Sequence, residues 1–467
     1  MASTKKDSIT DNLHELRNGE PKNGQDIIPN IGQNIIGKVD LNKCPTSVNM
    51  VDTWKQDQEP TKLPPKIIIP ICISMCLSVF VAALDMSIVT TALPQLASEF
   101  DALALYSWVG TAFQISLTAF QPLYGSLSDI FGRKPIFMTC LILFIIASAL
   151  CGAANSMVML IFFRAIQGIG GSGLFGLSLI ILADITTTEE QGKYQGIIGA
   201  AYSFSSIFGP LLGGIFTDKL SWRWCFYINI PIGIIALVVV FFVLSLPSPK
   251  GSFLVKIRHI DFLGSITVIA FTVCFMLAIS FGGNEFSWNS PVIILLFCVG
   301  ALLIGIFAYV EGKFAIEPVL PLRLFKNRDY FVLSVIQFLY GVGFFLGFFY
   351  YPLYFQLLGE SATGSGLKTL PMLLTSIAAN IIGGFAVSYT KKLRPFIWVG
   401  FVAMVIGAGL ITTFDEHTSN ALHIGYTVIL GFGSGLEMQN LILATQISVE
   451  AKDVPIATAS AMFFRTL

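Results

Sequence analysis

The sequence predicts an all-α polytopic membrane protein, on three observations. Hydrophobic residues make up 54% of the 467, charged residues only 12%, and the mean hydropathy is +0.75. Soluble domains carry about 25% charged residues, so the deficit points to lipid as the main solvent. The deficit is also local: residues 1–65 hold 17 charged side chains and the following 402 hold 39. Finally, from Lys66 onward the chain is a series of apolar runs near the length that crosses ~30 Å of hydrocarbon as a helix, about 20 residues.

Twelve such runs are predicted as spans: 67–92, 106–126, 135–154, 157–183, 194–216, 225–246, 262–282, 292–311, 330–356, 366–389, 395–413 and 421–447. A thirteenth starts near Ile456 and meets the chain end at Leu467. The polar stretch 1–65 is expected to be a disordered cytoplasmic tail. No signal peptide is expected, because the first apolar stretch begins too late and runs too long. With the tail inside, the inward loops hold fourteen Lys and Arg, among them Arg133, Lys134, Lys193 and Arg394, and the outward loops hold three, Lys219, Arg223 and Lys368. Basic residues collect on the cytoplasmic side, so the amino terminus is predicted to be cytoplasmic.

Several function classes drop out. The formal charge of zero gives nucleic acid nothing to bind. Cys72, Cys76, Cys140, Cys151, Cys225, Cys274 and Cys298 lie in or beside apolar runs, with Cys44 in the tail, and read as reduced, buried thiols. His14, His259, His417 and His423 fall in the tail, in loops or at a helix end, which argues against a histidine proton relay. There is no Ser-His-Asp grouping, no metal-ligand cluster and no phosphate-binding Gly-rich loop. No cofactor, no metal and no enzymatic activity are therefore expected. A transporter-derived sensor and an inactive product remain as competing readings.

The chain also echoes itself. Gly125, Asp129, Gly132, Arg133, Lys134 and Pro135 follow the second span, and Gly384, Lys391, Lys392, Arg394 and Pro395 follow the tenth at similar offsets. The fourth span carries Gly168-Ile169-Gly170 and the twelfth Gly431-Phe432-Gly433. This predicts a first half (66–246), a linker (247–261), a two-helix insert (262–311), a loop (312–329) and a second half (330–467). Repeated halves place a substrate site between them.

Two charges sit where apolar spans should hold none. Asp85 lies ~15 Å and Arg164 ~10 Å below the outer ends of their helices at 1.5 Å per residue, so the two share a depth. Intramembrane ionisable residues are costly and face a partner or a cavity. Glu437, mid-way along the twelfth span, is expected to face the central cavity as a proton or cation carrier. Asp129 with Arg133 and Lys134 is expected to form a charge latch at the membrane mouth. Gly199, Ser203, Ser206, Pro210 and Gly213 share one face of the fifth span, as small residues do where helices pack closely. The aromatics of the ninth span, from Phe338 through Tyr340, Phe344 and Phe345 to Phe355, are expected mainly at lipid or the interface.

Four motifs together carry a resemblance. They are Leu84-Asp85 to Val89 with Ala92-Leu93-Pro94; Gly125 to Lys134; Arg164 with Gln167, Gly168 and Gly170; and Gly209-Pro210 with Gly213-Gly214, followed by Trp222-Arg223-Trp224, Phe226, Asn229 and Pro231. In that order, over 66–246, the chain resembles the major facilitator superfamily, and within it the fourteen-helix drug:proton antiporter branch common in fungi. The second half matches more loosely. The resemblance implies two six-helix halves with a two-helix insert, proton-coupled export of small organic compounds, cationic or amphipathic, and a monomer in the plasma membrane; a vacuolar transporter of basic amino acids is the alternative. It implies proton-coupling or substrate roles for Asp85, Arg164 and Gln167, beside which Glu437 is placed on its own depth, a gating loop of Gly125, Asp129, Gly132, Arg133 and Lys134, and an antiport helix carrying Gly199, Ser203, Ser206, Gly209, Pro210, Gly213 and Gly214. It also implies fourteen helices, so the second half is expected to be truncated at Leu467 and this form to transport poorly.

Overall fold

The computed structural model describes residues 65–467 other than 103–104, 245, 247–252, 316, 360–361 and 416–417. The tail expected over 1–65, with Cys44 and His14, lies outside the described residues up to position 64, as do His417 and positions 247–252 of the expected linker. The described helices are α1 (Pro65–Glu99), α2 (Tyr106–Phe120), α3 (Leu123–Phe131), α4 (Arg133–Gly152), α5 (Met157–Ile185), α6 (Thr188–Lys219), α7 (Trp224–Tyr227), α8 (Asn229–Val243), α9 (Phe253–Arg258), α10 (Phe262–Phe281), α11 (Pro291–Lys313), α12 (Arg328–Leu357), α13 (Ala362–Thr390), α14 (Arg394–Ile411), α15 (Asn420–Ile447) and α16 (Val454–Thr466).

Among the described residues, eleven helices are long and apolar enough to cross a membrane. The difference from twelve falls at the second predicted span, which is two shorter helices. The chain between α2 and α3 turns at Gln121 and Pro122, where Pro122 has no N–H to offer the helix ladder and the Gln121 N–H bonds back to Thr118 O at 3.3 Å. Together α2 and α3 fill the span.

Burial runs opposite to that of a water-soluble core. Phe242 (74% exposed), Val405 (69%) and Phe162 (62%) face outward from span helices, whereas Asp85, Gln167, Asn229 and Glu437 are fully buried. That inversion suits a hydrocarbon surround, where polar groups must find partners inside the bundle. With lipid outside and little hydrophobic drive between helices, close backbone approach holds the bundle. Gly170 of α5 sits against the backbone of Cys140 and Phe144 in α4, and Gly168 against the Phe113 carbonyl in α2. Gly433 of α15 packs on Gly400 and Met404 of α14, and Gly435 on Ser376 of α13. Pair α10–α11 lies beside α2, where the rings of Trp108 and Phe281 are 5.1 Å apart.

Helix α6 links two parts of the bundle. Its carboxyl-terminal half lies on α1: at Gly209 a Cβ would run into Ser87, whose hydroxyl already donates to Ser205 O at 3.0 Å. Its amino-terminal half lies on α13, with Gly192 and Gly196 against Asn380 and Gly384. Helix α16 makes a second link, placing Pro455 and Ile456 3.0 Å from the position a Gly125 side chain would take in α3.

Candidate functional site

Asp85 and Arg164 meet as a buried ion pair between α1 and α5. The pair is fully solvated by protein. Asp85 Oδ1 accepts from Gln167 Nε2 and from Asn229 Nδ2, each at 2.8 Å. Arg164 also donates to Gln167 Oε1 at 2.8 Å and to Val109 O at 3.0 Å, and its guanidinium lies 4.2 Å from the Phe113 ring centroid. Asn229 in turn donates to Ser148 Oγ at 3.0 Å, and Ser148 to Phe226 O at 2.8 Å. Four helices, α1, α4, α5 and α8, are thereby tied through one carboxylate. An arginine fork and two amides match the acceptor capacity of a charged aspartate.

At the end of the bundle where α3 meets α4, Arg133 bridges two acids. It pairs with Asp129 at 2.7 Å and with Asp184 of α5 at 2.7 Å, and donates to Ser128 Oγ at 2.6 Å. Gly132, between the helices, has φ of 100° and ψ of 151°, a conformation that side-chain-bearing residues avoid. Lys134 points elsewhere: its Nζ donates to Phe241 O at 2.6 Å near the carboxyl end of α8, a favourable place for a cation. Arg133 alone of the two makes the contacts to Asp129 and Asp184.

The same end is sealed by contacts between α6 and α13. A Cβ on Gly384 would overlap the Gly192 carbonyl, so the two backbones touch. The Lys193 N–H donates to Ser388 Oγ at 3.0 Å, Lys391 pairs with Glu189 at 2.7 Å, and Gln195 donates to Gln446 of α15 at 2.7 Å. Gln446 continues the chain of amides to Thr458 of α16 at 2.9 Å.

Beyond this seal lies a small cavity between the helices. Val79 of α1, Ile198 and Tyr202 of α6, Tyr340 and Phe344 of α12 and Met462 of α16 are among its walls. Ile198 is ten residues and Val79 fourteen from the start of its helix, or ~15–21 Å at 1.5 Å per residue, which is mid-bilayer. Gln114, Gln121 and Gln439 add amides, and Arg465 is the one charged lining residue among the described ones.

A profile of the Major Facilitator Superfamily matches residues 75–467. The chain is 38% identical over 394 residues to the multidrug transporter protein MdtP of Bacillus subtilis, covering 84% of this chain and 72% of that one. It is 37% identical over 398 residues to the MFS-type efflux pump MFS1 of Arthroderma benhamiae, covering 84% and 74%. The chain belongs to the major facilitator superfamily. Among solved structures it resembles the proton:xylose symporter XylE with a TM-score of 0.61 and 14% identity, covering 86% of each chain, a likeness of fold alone. As a major facilitator protein it is an integral, multi-pass membrane protein that handles small molecules.

Within that fold, the structure brings Asp85, Arg164 and Gln167 together, and Asp129 with Arg133, but leaves these two clusters outside the cavity lining. The glycines of α6 meet different helices along its length. Gly199 packs on Asn380 and Gln439, whereas Gly209 and Gly213 pack on α1, because the helix touches different neighbours along its length. Pro210 is exposed, and nothing packs where a Gly214 side chain would project. Glu437 departs from its expected place facing the cavity. It is directed at Gly400 of α14, where a missing side chain leaves room for a carboxyl, and its neighbours Met438 and Gln439 take the cavity wall. The aromatic helix departs too: Tyr340, Phe344 and Phe345 line the cavity, and Tyr340 donates to Ser434 O at 2.9 Å, while Tyr350 and Phe338 do face outward. Asp184, Gln337 and Arg465 carry site geometry that no motif covered, and Asn229, though inside the fourth motif, was given no role there. Asn229 and Arg465 had the one available signal, a polar side chain inside an apolar run.

Proposed function

We propose that this protein is a secondary active exporter of small organic compounds such as drugs and toxins, driven by exchange for protons. The observation that carries the reading is a mid-bilayer cavity walled by α1, α2, α5 and α6 on one side and α12, α15 and α16 on the other, sealed at one end by α6 against α13. Such a cavity delivers substrate when the seal parts and the opposite end closes, which is alternating access by rocking of two halves, 66–246 and 330–467, around a fixed site. The names of the Bacillus and Arthroderma relatives, a multidrug transporter and an efflux pump, support export as the direction.

In this reading the Asp129–Arg133–Asp184 cluster is the latch of the sealed end, and α6 is the helix on which both α1 and α13 move. Asp85 with Arg164 is a charged strut, and Glu437 is the proton carrier, since among the described residues its two carboxylate oxygens meet no hydrogen-bonding side chain and a neutral acid suits that site better than an anion. The excess of basic residues in the loops of that side supports a cytoplasmic sealed end and amino terminus, and the reading includes a monomer in the plasma membrane. Loading of a vacuole with basic amino acids is the weaker reading, because the cavity's charged side chain is a cation. The test is efflux from sealed proteoliposomes under an imposed pH gradient, across a panel of amphipathic drugs and basic amino acids. Export that rises with the gradient supports the proposal; flux indifferent to the gradient contradicts proton coupling, and no flux of any compound contradicts the transporter reading.

A further inference from the structure

We propose that the cavity selects planar aromatic compounds carrying an anionic group, with Arg465 as the residue that recognises the anion. The inference rests on the cavity being the transport site. Arg465 is 8% exposed and lines the cavity from α16. Its Nε and Nη2 both donate to the neutral Gln337 Oε1, at 3.0 and 2.8 Å, and its guanidinium lies 5.0 Å from the Tyr340 ring centroid. An arginine offers five N–H donors in a fork shaped for a carboxylate. Here its hydrogen bonds go to an amide oxygen alone, and among the described residues no carboxylate lies within ion-pair distance; Glu437 acts on it electrostatically from farther off. Arg164, by contrast, has its aspartate.

The surrounding hydrogen-bond groups lean the same way. Gln121 Nε2 lines the cavity and Gln337 Nε2 stands beside Arg465, and both are buried donors without a partner among the described residues. Gln439 Oε1 is a buried acceptor of the lining without a partner among the described residues, suited to a hydroxyl elsewhere on the ligand. A mid-bilayer cation is costly, so an incoming anion is drawn to neutralise it. An incoming ammonium meets repulsion at the same place.

The walls set the shape. Tyr340 and Phe344 stack with centroids 5.8 Å apart and planes at 22°, and Phe344 and Phe348 follow at 6.1 Å and 14°. Along one face of α12 these rings form a near-parallel ladder ending at the guanidinium. Phe175 and Tyr202 stand edge to face at 5.8 Å on the other half and also line the cavity. A flat ring lies against such a ladder with its charged end on Arg465.

The experiment is binding to the full chain in nanodiscs, with three probes that share one ring: 2-naphthoate, 2-naphthamide and 2-naphthylmethylammonium. The anion should bind most tightly and exceed the ammonium by about tenfold or more, the range of one charge-assisted pair. Arg465→Gln should erase that preference while leaving naphthamide within about threefold. Phe344→Leu should weaken all three alike. If Arg465→Gln does not give a folded monodisperse protein, Arg465→Lys keeps the charge without the fork and should preserve the order with weaker naphthoate binding. Ammonium binding as tight as naphthoate, absence of binding by all three, or a preference that survives Arg465→Gln overturns the proposal. Naphthoate binding without vesicle efflux counts against export and leaves this assignment standing, whereas proton-driven efflux of cations alone does the reverse.

Discussion

Removing the Asp85 charge tests the buried network most sharply. In Asp85→Asn, one carboxylate that accepts from Arg164, Gln167 and Asn229 becomes an amide with a single acceptor oxygen and an N–H₂ facing donors. Arg164, 1% exposed, keeps only Gln167 Oε1 and Val109 O as acceptors. Breaking a buried ion pair by removing one partner costs about 3–5 kcal/mol, a large part of the ~5–15 kcal/mol that holds a typical fold together. The variant should reach the membrane in reduced amount and lose its monodisperse peak on heating well before wild type. Neutralising both partners restores balance, so Asp85→Asn/Arg164→Gln should recover most of the loss, a coupling of about 1–3 kcal/mol. The readouts are membrane abundance and the heating midpoint by fluorescence size-exclusion chromatography. Wild-type abundance and midpoint in Asp85→Asn, or a double variant worse than both singles, would refute the reasoning.

Further predictions follow from the same contacts. Asp129→Asn leaves Arg133 paired with Asp184, so the fold should persist while transport slows several-fold, and Asp129→Asn/Asp184→Asn should reduce folded yield as well. Unchanged transport in Asp129→Asn at normal expression would return Asp129 to the role of an anchor. Gly209→Ala drives a methyl into Ser87, so it should lower folded yield, and Ser87→Gly should partly rescue it; an inert Gly209→Ala contradicts the close packing of α6 on α1. Glu437→Gln replaces a buried acid by a neutral isostere, so abundance should hold while efflux loses its dependence on the pH gradient; retained dependence removes Glu437 as the carrier. Single cysteines at Lys392 and Asn289, both exposed, should label from opposite sides of sealed vesicles, with Lys392 on the cytoplasmic side, and labelling of both from one side would break the span count.

The chain's spans were legible in its sequence because the bilayer imposes one length on every crossing and leaves little room for irregular backbone. The exception, Gln121–Pro122, shows the limit: Pro122 is visible in the sequence, but an apolar run with one proline reads equally as a bent helix or as two. The Asp85–Arg164 pair was legible because two charges at matching depth have few alternatives in lipid. Glu437 was not. Hydropathy marks it as buried and gives no information on whether the neighbour is a cavity or Gly400 of the next helix, which depends on how α15 is rotated. The aromatic ladder was hidden for the same reason, since Tyr340 and Tyr350 look alike in sequence but sit on different faces of α12. Asp184 and Gln337 gain meaning only through Arg133 and Arg465, residues 51 and 128 positions away in the chain, and no local pattern reports such pairings.

The central claim is that transport requires the sealed end, α6 against α13, to part. Cysteines at Lys193 and Ser388, whose backbone N–H and hydroxyl lie 3.0 Å apart, can be joined by a short thiol-reactive cross-linker with a reducible bond in proteoliposomes. Efflux driven by a pH gradient should stop on cross-linking and return on reduction. Efflux that continues undiminished through the cross-linked protein would contradict alternating access at this interface.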